Sequence, residues 1–186
     1  MDIVKQKKVS DEVYHALADT FSLSSEDVQQ LINLSSQNVG KKARLCVHPR
    51  IEDPVHQMFI AHKKGTYVRP HKHANKNESM LILQGRADYV VFNERGDIDR
   101  VIPMGDYSTS QSFFMSIAPG TFHCIFIRSE WLLFFEVVEG PFIKDKTIFP
   151  DWSPTIADVG AVTEFMGRLE SKIQELHPIN ETENAS

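Results

Sequence analysis

The sequence predicts a mainly β domain of sandwich or barrel type, with short helices ahead of it and a longer helix behind. Three observations carry this. Between Lys41 and Gly140, short apolar runs recur at near-regular spacing, divided by Gly, Pro and Asn turns. A length of 186 residues suits one domain, and twelve phenylalanines can fill a β-rich core. Outside that region the apolar period lengthens to the helical one, most clearly over 154–176.

Residues 9–22 read as a short helix, with Ser10 as cap, Asp11 and Glu12 at its positive end, and Val9, Val13, Leu17 and Phe21 on one face. Residues 25–37 read as a second, capped by Ser25, with Val28, Leu31, Ile32 and Leu34 apolar. Asn38-Val-Gly40 ends it. These helices form a 1–40 extension too small to fold alone. Strands follow at 44–48, 56–62, within 65–85, and at 87–92, 98–104, 112–117, 121–128 and 131–138, with a turn at Asn93–Asp97. They assign the barrel to 41–152. The C-terminal helix takes 153–177, with Ser153 as cap and Pro154 at its first position, and 178–186 reads as a polar, disordered tail.

The chemistry concentrates in 65–85. His71 and His73 stand two apart, which in a strand turns both rings to one face. Ala74-Asn-Lys-Asn77 is a turn, and Glu78 opens the next apolar run. If the two runs pair antiparallel, Glu78 swings to the histidine face and completes a metal half-site of two imidazoles and a carboxylate. Later in the chain, Pro119-Gly120-Thr-Phe-His123 sets one more histidine after a turn.

The spacing Gly65-x5-His71-x-His73-x4-Glu78-x6-Gly85 resembles the first motif of the cupin superfamily at every fixed position. The 119–123 segment resembles its second motif, departing in that Pro119 and Gly120 are adjacent and Ile127 stands where asparagine is common. The resemblance implies a cupin jelly-roll (double-stranded β-helix) barrel holding one divalent transition metal (zinc, iron, manganese or nickel) on His71, His73, Glu78 and His123. Arg44-Leu-Cys-Val-His48, Tyr67-Val-Arg-Pro-His71, Glu136-Val-Val-Glu-Gly-Pro-Phe142 and Asp151-Trp-Ser-Pro154 together resemble the WbuC family of small cupin metalloproteins over about residues 28–155. That likeness implies a cytoplasmic protein of surface-polysaccharide synthesis, with a carbohydrate or sugar nucleotide as partner. Cupin barrels often pair through their sheets, which implies a homodimer.

An open metal site polarises a carbonyl and its neighbouring hydroxyl, as isomerisation or epimerisation requires, and such chemistry needs a base. His48, Tyr67 and Glu136 are the catalytic candidates. His48 is alternatively a partner to a ligand, and Tyr67 a core aromatic. Glu136 lies in an apolar run, where a carboxylate is paired or functional; Arg44 or Arg69 could pair with it. Arg44 and Arg69 are also the candidates for holding an anionic substrate. The rival functions are an iron-dependent dioxygenase and a non-catalytic carbohydrate-binding cupin. A net charge of −5 argues against nucleic acid or an anionic membrane as partner, and no apolar run reaches transmembrane length. The start lacks a signal-peptide core. Cys46 and Cys124 read as a reduced pair, with a disulfide left open, and Cys124 points away from the face of His123.

Overall fold

The computed structural model describes residues 6–17, 20–143 and 146–177; the tail expected at 178–186 lies outside them. In chain order it forms β1 (Gln6–Lys8), β2 (Val13–Ala16), α1 (Ser25–Gln37), β3 (Lys42–Cys46), β4 (Val55–Lys63), β5 (Lys72–His73) and β6 (Glu78–Gln84). Then come β7 (Arg86–Phe92), β8 (Ile98–Gly105), β9 (Phe114–Ile117), β10 (Phe122–Ile127), β11 (Trp131–Glu139), β12 (Thr147–Ile148) and α2 (Val159–Leu176). A seven-stranded sheet, ordered β1-β2-β3-β4-β11-β6-β9, packs against a three-stranded sheet, β10-β7-β8. β12 and β5 form a small third sheet, and the sheets do not close into a continuous ring.

Register decides which residues share a face, because directly opposed side chains lie on the same side of a sheet. Across the large sheet, Cys46 opposes Met58, Met58 opposes Glu136, Glu136 opposes Met80, and Met80 opposes Met115. One row along, His56 opposes Val138 and Val138 opposes Glu78. This is the inner face. The smaller sheet meets it with Ala87, Tyr89, Met104, Ile125 and Ile127. On the outside of the large sheet, Ala43, Leu45, Ala61 and Leu133 receive Leu31 and Ile32 of α1. On the outside of the smaller sheet, Val90, Phe126 and Cys124 receive Leu169 and Ile173 of α2. Phe134 is 1% exposed in the central core. Phe134→Ala is expected to cost about 3–5 kcal/mol in chemical denaturation, the range for emptying a buried aromatic site.

The structure departs from the expected elements at four places. The helix expected over 9–22 is absent among the described residues; β1 and β2 stand there, β2 running parallel to β3. Tyr14 and Ala16 are buried in alternation, a period of two, while Val9 and Leu17, which should have marked a helical stripe, are each 59% exposed. Helix α1 forms as expected, but its cap is Ser24, whose hydroxyl accepts from the Asp27 amide while the Asp27 carboxylate accepts from the Ser24 amide. Helix α2 starts at Val159, with Asp158 as cap. Finally, β5 and β6 do not pair with each other: β5 pairs with β12, and β6 lies between β11 and β9.

Ser153, expected as a helix cap, belongs instead to a clamp. The Arg69 guanidinium donates to the Ser153 hydroxyl (3.0 Å) and carbonyl (3.0 Å), and the Tyr67 hydroxyl donates to the Pro154 carbonyl (3.0 Å). Trp152 packs on Phe92 and Phe122, stacks under Phe165 of α2, and donates to the Glu94 carbonyl. The clamp thus carries the chain from β12 over the smaller sheet to α2.

Candidate metal centre

Backbone pairing assembles the cluster. His71 bridges to His123 in both directions, amide to carbonyl, at 3.0 and 2.9 Å. The Gly120 amide donates to the His73 carbonyl (2.7 Å), and Gly120 turns the chain at φ 80°. Glu78, the first residue of β6, reaches the cluster from the opposite sheet. Its carboxylate lies 3.2 Å from His73 Nε2 and 3.7 Å from His123 Nε2. Ring centroids of His71 stand 5.2 Å from His73 and 4.5 Å from His123. One ligand atom each from His71, His73 and Glu78 falls within 4.8 Å of the others.

The rings are oriented for donation. Nδ1–H of His71 donates to the Arg69 carbonyl (2.9 Å), and Nδ1–H of His123 donates to the Thr121 carbonyl (2.9 Å). These bonds fix the tautomer and leave both Nε2 lone pairs free, that of His123 3.7 Å from Glu78. His73 Nδ1 lies 3.4 Å from the Thr147 hydroxyl of β12. Nε2 of His123 is buried with no hydrogen-bond partner. An orphaned buried nitrogen is costly unless something accepts its lone pair, and a cation does so. Burial first, then the charge of His123, pushes His71 down to about 4, and burial also lowers His123. Burial opposes ionisation of Glu78, but the hydrogen bond with His73 and the charges of the three histidines outweigh it and hold the carboxyl below its usual value. Imidazoles beside a carboxylate are the donor set a divalent ion takes, so the residues fit a metal.

Glu136 is half-buried on the same inner face, one strand over and one row along from Glu78, a diagonal of about 7–8 Å. Burial first, then the charge of Glu78, pushes its carboxyl up to about 8, while Arg44 pulls it down. Tyr89 projects from the smaller sheet, its ring stacked on His123 with centroids 5.3 Å apart. Its hydroxyl is buried and has no hydrogen-bond partner. Burial, then the charges of Glu78 and Glu136, raise its pKa, so the hydroxyl stays protonated.

The other expected residues lie elsewhere. Tyr67 does not point inward: its neighbour Val68 packs on the inner core, and Tyr67 sits in the clamp against Phe165. Arg69 does not pair with Glu136 either, since its guanidinium is held by Ser153 and Pro150 and lies over the Phe149 ring at 4.8 Å. Arg44 is exposed, and its guanidinium makes no hydrogen bond or ion pair among the described residues. His48 lies across the sheet at the end of β3, bonded through Nδ1 to the Gln57 backbone and stacked on His56 at 4.0 Å. Cys46 and Cys124 are free and buried, and Cys124 lies on the outer face, away from His123. Tyr89 and Thr147 were missed in sequence. Tyr89 reads as one aromatic in an apolar strand, and β12 is only two residues long.

Solved structures share this architecture. An uncharacterized conserved protein with a double-stranded β-helix domain from Klebsiella pneumoniae superposes with TM-score 0.51 at 16% identity, covering 73% of this chain and 93% of that one. A protein from Shewanella oneidensis superposes with TM-score 0.50 at 10% identity, covering 69% and 85%. The fold is the cupin jelly roll. The capsular polysaccharide assembling protein CapF from Staphylococcus aureus overlies it with TM-score 0.44 at 20% identity, over 53% of this chain and 27% of that one. A family described as a domain of unknown function, DUF6016, matches residues 23–104, which span α1 to β8. Among curated proteins, none matches in sequence. No helix among the described residues is long and apolar enough to cross a membrane.

Proposed function

We propose that the protein is a metal-dependent acid–base enzyme, an isomerase or epimerase acting on a carbohydrate or sugar nucleotide. The observation that carries this reading is Glu136, a half-buried carboxyl with its pKa raised to about 8, one diagonal from Glu78 on the inner face. A carboxyl that exchanges its proton near neutral pH, beside an electrophilic centre, suits proton transfer next to a carbonyl. When bound at His71, His73, Glu78 and His123, the ion supplies Lewis acidity toward such a carbonyl. Glu136 removes and returns the proton. The unpartnered Tyr89 hydroxyl orients a substrate oxygen, and the unpaired Arg44 holds an anionic end such as a diphosphate. The carbohydrate assignment rests on the likeness of residues 28–155 to the WbuC family.

The test is incubation of metal-loaded protein with a panel of nucleoside-diphosphate sugars in deuterated water. Uptake of deuterium at a carbon beside the carbonyl, lost on chelation, is the expected result. Oxygen consumption by the iron-loaded form without deuterium uptake would replace this reading with a dioxygenase. Metal-independent sugar binding without turnover would replace it with a binding module.

A further inference from the structure

We infer that His15, Cys46 and His48 form a second metal site, separate from the histidine–glutamate cluster and suited to a thiophilic ion such as zinc or copper(I). The parallel pairing of β2 with β3 sets His15 directly beside Cys46, and His48 follows two residues beyond Cys46. Residues 31 positions apart in the chain thereby share one face of the sheet. One ligand atom from each lies within 4.8 Å of the other two. Cys46 and His48 are 4% and 6% exposed, whereas His15 is half-buried, so the site is sheltered but has an entrance.

The ring of His48 is held as a ligand ring should be. Nδ1 of His48 lies 3.1 Å from both the carbonyl oxygen and the amide nitrogen of Gln57, so the backbone anchors that nitrogen and Nε2 is the one left for a ligand. The parallel stack on His56 (4.0 Å, 8°) fixes its plane, and His56 is itself anchored by Nε2–H to the Ile51 carbonyl (3.1 Å). His15 meets His48 edge to face at 5.5 Å, and its ring nitrogens have no hydrogen-bond partner among the described residues. A cysteine packed in a core merely as a small apolar group does not need two imidazoles turned toward its sulfur. Two imidazoles and a thiolate are a softer donor set than the three imidazoles and carboxylate around Glu78. They select a different ion, and three protein ligands leave one tetrahedral position open. The two sites are three strands apart, about 14 Å along the sheet, so neither ligand set borrows from the other.

Cobalt(II), added to chelator-stripped full-length protein, reports on this site through a thiolate-to-metal charge-transfer band. The band is expected in the wild type and in Cys124→Ser. It is expected to vanish in Cys46→Ser with the loss of one bound equivalent. His73→Ala should lose the other equivalent and keep the band. Because Cys46 is buried, His15→Ala provides a milder variant, in which cobalt affinity read from the band should fall about 10–100-fold or more, the loss known for weaker, outer-shell changes. Absence of the band at saturating cobalt in folded wild type, or its survival in Cys46→Ser, overturns the assignment. The first site is scored separately by His73→Ala, so failure of one reading does not disguise failure of the other.

Discussion

His73→Ala is expected to lose one equivalent of metal relative to wild type when both are purified without chelator and analysed by elemental mass spectrometry. His73 stands on a two-residue strand at the margin of the fold, and its imidazole lies 3.2 Å from Glu78. Removing it takes away a ligand and the hydrogen bond that helps keep Glu78 ionised. The buried carboxylate then gains a proton more readily, which competes with the ion, so the loss should exceed that of a single donor. Glu78→Gln tests the same site from the other side: it keeps the shape, removes the charge, and is expected to empty the site as well. Thermal unfolding of both variants with and without added metal separates loss of binding from loss of fold. Unchanged metal content in His73→Ala would refute the ligand set, whereas the ion found in the wild type selects the chemistry. Iron is the ion expected of an oxygenase; manganese, nickel or zinc are those expected of an isomerase.

The part of this arrangement legible in sequence is the part fixed by local rules. Two-residue periodicity turns His71 and His73 to one face, and the Pro119-Gly120 turn delivers His123. The strand boundaries from β3 to β11 follow alternation and turn residues, and they fall within a few positions of the expected ones. Long-range pairing was not legible. Glu78 joins the histidines across the barrel and not through the hairpin that the spacing suggested, because β6 is claimed by β11 and β9. Tyr67 and Arg69 looked like site residues because they precede the histidines. Their partners, Ser153 and Pro154, lie more than 80 positions away, and no local pattern announces that contact. Residues 13–16 show the same limit from the other direction. Their apolar spacing fits a helical stripe, and the parallel partner that makes them a strand comes only with β3. Tyr89 was hidden for a different reason, since an aromatic residue in an apolar strand reads as core until its hydroxyl is found without a partner.

Glu136→Gln should keep the metal and lose turnover by about 10²–10⁴-fold, the usual share of a general acid–base group. The metal-free protein offers an independent check, because two groups bend its stability in opposite directions with pH. Glu136 goes from 4.5 to about 8 on folding, so between those values the folded state holds a proton that the unfolded chain has released. Stability is therefore full below pH 4.5 in this respect and falls as pH rises toward 8. His71 goes from 6.5 down to about 4, so between those values the unfolded chain binds a proton that the folded state refuses. Its contribution is full above pH 6.5 and is lost as pH falls through 4. Chelated protein should accordingly show a stability maximum bounded by an acid limb from the histidine cluster and an alkaline limb from Glu136. In Glu136→Gln the alkaline limb should flatten while the acid limb stays. A bound cation lowers the Glu136 pKa from its metal-free value, so the loaded wild type should gain activity with pH through a point below about 8, and that rise should be missing from the residual rate of the glutamine variant. A variant that retains both its alkaline limb and its activity profile would place the proton-transfer group somewhere other than Glu136.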